Sequence, residues 1–84
     1  MRVFIVKDVT GAIAGVFEAV DNALDRAENE VEYPDYNDGG MESYSRERVK
    51  QDLLTAECGF CVGVSVDEED CAVPAASVES WLVS

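Results

Sequence analysis

Between Glu18 and Glu32 the chain carries two patterns at once, and both have the period of a helix. Val20, Ala23, Leu24, Ala27 and Val31 recur at i, i+3, i+4, i+7 and i+11, which makes an apolar stripe. Glu18, Asp21, Asp25, Glu28 and Glu32 recur at i, i+3, i+7, i+10 and i+14, which makes a second stripe of carboxylates. The spacing predicts a helix over roughly residues 19 to 31 that buries one stripe and shows the other. Like charges three or four residues apart repel by a few tenths of a kcal/mol per pair. Arg26 is the one cation within Glu18–Glu42, so such a helix is held by its apolar face. Tyr33-Pro34 ends it, because the residue before a proline is pushed out of the helical region.

The rest of the chain supplies a sheet. Val3 to Val6 is a continuous apolar run that reads as a central strand buried on both faces. Lys7 to Gly11 is turn chemistry. Ala12 to Phe17 reads as a second strand pairing with the first in a hairpin, with Ile13 and Phe17 on one face. Gly15 weakens this strand or permits a close approach. Tyr33 to Gly40 reads as a loop closed by Asn37-Asp38-Gly39-Gly40. Ser43 or Ser45 can cap a second helix over roughly 45 to 56, with Val49, Leu53 and Ala56 facing the core. Arg46, Arg48 and Lys50 sit in its first two turns, where the helix dipole disfavours cations.

Phe60 to Val66 alternates apolar and small residues, the pattern of a half-buried strand. Asp67-Glu68-Glu69-Asp70 is an acidic turn. Ser77 to Val83 is a last strand, with Val78 and Leu82 on one face and Trp81 and Val83 on the other. The order β-β-α-α-β-β over residues 1 to 84 predicts a single α+β domain: a small antiparallel sheet of about four strands with two helices on one face.

Charge limits what the domain can bind. There are 18 Asp and Glu against 6 Lys and Arg, no His, and a net charge of −12. This balance excludes nucleic acid and anionic membrane surfaces as direct partners and favours a basic protein. The lack of His removes the usual acid/base and nucleophilic constellations, and the expectation is a protein that is not an enzyme. No apolar run approaches the roughly 20 residues of a membrane span. Three cysteines, an odd number, read as free thiols in a cytoplasmic protein. Cys58-Gly59-Phe60-Cys61 has the spacing of a redox or zinc knuckle. It runs into a strand rather than opening a helix, and a zinc site would need Cys71 and an acid such as Asp70. From Asp35 the EF-hand positions that want an acid fall on Gly39 and Arg46, so that pattern fails. Neither cofactor nor metal is called for.

The candidate partner-binding residues are therefore acids and the tyrosines among them: Asp21, Asp25, Glu28, Glu32, Tyr33, Asp35, Tyr36, Asp38, Glu42, Asp67, Glu68, Glu69 and Asp70. Carboxylates three or four apart on a helix lie roughly 5–6 Å from one another. That is comparable to the separation of phosphates along a nucleic-acid strand, which rise about 3.4 Å per nucleotide along the axis and wind around it. Tyrosines supply apolar area with a polar tip, suited to an arginine-rich groove.

Met1-Arg2-Val3-Phe4-Ile5-Val6, Gly15-Val16-Phe17-Glu18-Ala19-Val20 leading into a helix, and a strand ending in Trp81-Leu82-Val83 give a layout that resembles small acidic proteins encoded by phages. In size and charge the chain is similar to anti-restriction and anti-CRISPR proteins. The resemblance implies a non-enzymatic inhibitor in the host cytoplasm that occupies the nucleic-acid site of a host defence protein, such as a CRISPR or restriction effector, by DNA mimicry. Two alternatives stand beside it. One is a structural or interaction domain whose acidity serves solubility or a salt-rich cytoplasm. The other is a cysteine-based metal or redox module. If Ser77 to Val83 lay at an open sheet edge, it would permit a homodimer.

Overall fold

The computed structural model describes residues 1–31, 34–37, 42–63 and 75–83. Eight elements follow in order: β1 (Arg2–Lys7), β2 (Ile13–Phe17), α1 (Val20–Asn29), β3 (Tyr36–Asn37), β4 (Ser43–Tyr44), α2 (Arg46–Thr55), β5 (Gly59–Val62) and β6 (Ala76–Leu82). The six strands form one antiparallel sheet in the order β2-β1-β6-β5-β3-β4. The α+β class, the antiparallel sheet and the two helices agree with the sequence. The strand number does not, because the loop after α1 contributes two short strands, β3 and β4, that pair with each other and with β5.

One face of the sheet carries both helices. Phe4, Val6, Phe60, Val62, Ala76, Val78 and Tyr36 point into a core completed by Val20, Ala23, Leu24 and Ala27 of α1 and by Val49 and Leu53 of α2. Burying a side chain such as Leu24 or Leu53 contributes about 1.5–3 kcal/mol. Strand alternation sends Val3, Ile5 and Lys7 of β1 and Glu79 and Trp81 of β6 to the other face. Among the described residues no element covers that face. Val3 and Ile5 are half-buried, so β1 is central in the sheet but fully buried on the helix side alone.

The hairpin of β1 and β2 forms as expected. Asp8 closes its turn: its Oδ1 accepts from the Thr10 N–H at 2.9 Å, the Thr10 hydroxyl at 2.6 Å and the Ala12 N–H at 3.1 Å. Gly11 supplies the positive φ of 90° that the turn needs. A register shift between Val6 and Lys7 then breaks the alternation of β2. Phe17 pairs with Phe4 on the core side, whereas Ile13 pairs with Lys7 on the open side. Ile13 and Phe17 thus lie on opposite faces, because the shift inserts a residue between them.

Two other expectations shift. Ala56 is exposed rather than in the core, since α2 stops at Thr55 and Ala56 is extended, with φ −147° and ψ 158°. Leu82 does not share the burial of Val78; it is exposed at the end of β6 opposite Arg2. Ser45 caps α2 as expected, its hydroxyl accepting from the Arg48 N–H at 3.2 Å. β5 covers the start of the expected strand from Phe60 to Val66, and Val64, Ser65 and Val66 lie outside the described residues. Finally, β6 is no edge. It lies between β1 and β5 and is hydrogen-bonded to both, so a homodimer through the backbone of Ser77 to Val83 is ruled out.

Candidate functional site

The acidic stripe of α1 faces the N-terminal turns of α2, and there it meets cations. Arg46 Nη2 lies 2.8 Å from Asp25 Oδ1 and 3.8 Å from Asp21 Oδ1, and Arg46 Nη1 pairs with Glu28 Oε2. The same guanidinium donates to the Asp21 backbone carbonyl at 3.3 Å. Lys50, one turn on, lies 3.1 Å from Asp21 Oδ2. Burial draws the Arg46 pKa down, but the bond to Asp25 and the charge of Glu28 outweigh it, and the net direction is up. These contacts explain two cations placed against the dipole of α2: the carboxylates of α1 hold them there more strongly than the dipole repels them.

Three of the expected contact residues, Asp21, Asp25 and Glu28, are therefore brought together, but as partners of a basic pair rather than as a bare row. Asp21 and Asp25 remain accessible, with 58% and 63% of their side chains exposed. Asp35 lies at the far edge of the sheet, where its carboxylate accepts from the Ser43 hydroxyl at 3.1 Å and its carbonyl from the Gly63 N–H at 3.0 Å. Glu42 is exposed just before β4. Glu32, Tyr33, Asp38, Asp67, Glu68, Glu69 and Asp70 lie outside the described residues.

Tyr36 is not a surface contact. It is 5% exposed, its ring is part of the core, and its hydroxyl has no hydrogen-bond partner at bonding geometry among the described residues. Burial first, and the neighbouring Glu28 carboxylate second, push its phenol well above the ordinary tyrosine range. The reason is strand parity: the loop segment becomes β3, and Tyr36 pairs with Val62 on the helix side. Tyr44, its neighbour in β4, stacks edge-on against Phe60 at 5.6 Å and lies under the Arg48 guanidinium at 6.0 Å.

The remaining cations are also occupied. Lys7 lies 3.4 Å from Glu79, Arg26 2.9 Å from Glu30, and Arg48 3.4 Å from Asp52. Arg2 donates to the Ala56 carbonyl at 2.9 Å and to the Ser80 hydroxyl at 2.7 Å. Glu18, Glu42, Glu47 and Glu57 are exposed and have no cation within ion-pair distance among the described residues. Glu47 and Glu57 were not singled out from the sequence. Nothing in the sequence marks them: Glu47 has Lys50 three residues on, and that Lys50 is taken by Asp21 appears only in the fold.

The thiols sit apart. Cys58 packs against the core and its sulfur lies 3.4 Å from the Asp52 carbonyl; burial, then the Asp52 charge, push its pKa up. Cys61 lies on the opposite face in register with Ser77. Cys71 lies outside the described residues. Among the described residues no group of three or more His, Cys, Asp or Glu could hold a metal ion. A shallow cleft of about 190 Å³ opens beside Trp81, lined by Glu57, Cys58, Gly59 and Glu79. Among the described residues no helix is long and apolar enough to cross a membrane.

Comparison with protein-family models, with curated proteins and with solved structures finds no match to this chain.

Proposed function

We propose that this chain is a non-enzymatic binding protein whose carboxylates engage a basic surface of another protein, one built to hold nucleic acid, such as a CRISPR or restriction effector. The observation that carries this reading is the occupation of the cations. Five of the six, Lys7, Arg26, Arg46, Arg48 and Lys50, are held in internal ion pairs, and Arg2 is tied to Ala56 and Ser80. A net charge of −12 remains. A chain with this charge and with its cations already engaged carries a negative field that attracts a basic groove before contact.

The acids available to that groove differ from the stripe alone. Asp21, Asp25 and Glu28 are braced by Arg46 and Lys50, which fixes their positions and leaves that cluster of five side chains with a net charge of about −1 at neutral pH. Glu18, Glu42, Glu47 and Glu57 carry more of the outward charge. The stripe contributes placement, through the half-exposed carboxylates of Asp21 and Asp25.

The test is a tagged pull-down from a candidate host lysate at low salt, at high salt, and with excess competitor DNA. The expected result is a nucleic-acid-binding protein that salt weakens and DNA displaces. A partner retained in the presence of DNA would place binding elsewhere and end the mimicry reading. An empty pull-down would leave the acidity as a solubility or high-salt adaptation.

A further inference from the structure

The cleft beside Trp81 joins one aromatic ring to two carboxylates. Register sets Gly59 of β5 opposite Glu79 of β6, and Glu79 shares the open face with Trp81, two residues on. A Cβ at Gly59 would stand 3.3 Å from Glu79 Cγ, so part of the space exists because that side chain is absent. Glu57, exposed at the bend before β5, completes the lining. The indole is 47% exposed, and its N–H donates to Glu79 Oε2 at 3.4 Å, which holds ring and carboxylate together. Lys7 pairs with that same oxygen at 3.4 Å, so Oε1 is left to other donors.

The sign of the occupant follows from a count that does not depend on where the undescribed residues lie. All six Lys and Arg are among the described residues, and none is within ion-pair distance of Glu57. The undescribed residues include acids but no Lys or Arg, so they supply no side-chain cation to Glu57. The N-terminal amine donates to the Val83 carbonyl, and Arg2 reaches Ser80 and Ala56 from the core side of the sheet. The cleft therefore holds two carboxylates against the one cation of Lys7. Size narrows the choice further. At about 190 Å³ the cleft is smaller than the roughly 300–1,000 Å³ of pockets that enclose a small molecule, and it suits the tip of one side chain. Arginine fits this lining better than lysine. A planar guanidinium lies flat on an indole and donates to carboxylates at its edge in the same pose, whereas an ammonium is a compact point charge.

We infer that this cleft is an anchor site for an arginine of the basic partner, with the guanidinium on Trp81 and its N–H groups donating to Glu57 and Glu79. The inference rests on the binding function proposed above and names one contact within it. Trp81 is the only tryptophan of the chain, so its emission reports on the cleft. The experiment titrates the protein, at fixed KCl, with the blocked tripeptide Gly-Arg-Gly and follows that emission. The same tripeptide with citrulline in place of arginine keeps the shape and removes the charge. The expected result is a weak but saturable change with arginine, and binding weaker by about tenfold with citrulline. Glu57→Gln is expected to weaken the arginine peptide by about threefold. Glu47→Gln, which removes an equal charge at the far end of α2, is expected to leave it unchanged. Both glutamates are exposed, and circular dichroism establishes that each variant is folded. No saturable change would overturn the inference. So would equal binding of the two peptides, or equal weakening in the two variants, which would mean attraction by the net charge alone. The titration involves no partner, so an empty pull-down leaves its result standing, and a failed titration leaves the binding function to the other exposed acids.

Discussion

At Arg46 one guanidinium reaches three carboxylates of α1 and a backbone carbonyl. Its side chain is about one-third exposed, so each pair is partly screened and none is worth much alone. Arg46→Gln is expected to destabilise the fold by about 1–2 kcal/mol, less than a fully buried network would lose. Because it leaves Asp25 and Glu28 without a cation, while Asp21 keeps Lys50, it is also expected to make stability rise more steeply with KCl. Urea unfolding at two salt concentrations measures both effects. Unchanged midpoints would show that Arg46 contributes nothing to the fold. A second residue-scale prediction concerns alkali. The Tyr36 phenol and the Cys58 thiol are both raised in the folded chain. Groups raised on folding stabilise it fully below their unfolded values and lose that contribution as pH rises through the folded ones. Stability is thus expected to fall as pH climbs past the ordinary thiol range of about 8.5 and again past the phenol range of about 10. Tyr36→Phe is expected to remove the second fall and to change stability at neutral pH by less than about 1 kcal/mol, since the hydroxyl is short of hydrogen bonds. Denaturant midpoints across that pH range check both statements.

At the scale of elements, Ser80 holds three parts of the fold together. It is 2% exposed; its hydroxyl donates to the Leu53 carbonyl at 2.7 Å and accepts from Arg2 at 2.7 Å, joining β6, α2 and β1. Ser80→Ala leaves a buried carbonyl short of a partner and is expected to lower stability by about 1–2 kcal/mol. Gly15 has a different role. A Cβ there would lie 2.8 Å from the Phe17 ring, which folds back over the glycine. Gly15→Ala is expected to displace that ring from its place beside the core at a loss of about 1 kcal/mol. Thermal unfolding of the two variants tests both. These sites also show what could be read in advance. Both helices and the β1–β2 hairpin were legible, because Val20, Ala23, Leu24 and Ala27, or Val49 and Leu53, repeat with a period no other structure shares. β3 and β4 were not, because two-residue strands have no period, and Tyr36 therefore looked like a loop residue. The shift in β2 was illegible for a related reason: a single inserted residue leaves local composition unchanged and appears only in pairing with β1. The candidate site was legible as a composition of acids. Its neutralisation by Arg46 and Lys50 depends on α2 lying across α1, a tertiary fact. The one local hint was two cations in turns where the dipole repels them.

For the whole molecule, the balance of 18 acids to 6 bases sets how the chain responds to its medium. If the proposed function holds, Glu42→Gln, Glu47→Gln and Glu57→Gln combined are expected to weaken binding to the recovered partner by about tenfold and to flatten its salt dependence. Titration of the purified pair at several salt concentrations gives both values. Equal affinity would move the contact to other acids.

The two end strands, β1 and β6, are neighbours in the middle of the sheet. β6 is also the single link between the pair β2-β1 and the group β5-β3-β4. Until residues 76–82 have been synthesised, these two halves share no hydrogen-bonded strand, and Phe4 and Val6 lack the neighbour that encloses them. Folding on the ribosome can therefore yield a hairpin and two loosely held helices, but no closed core, until the last of these residues emerges. Contacts this distant along the chain slow the search as well. The sheet thus closes in one step, when β6 enters between its two halves.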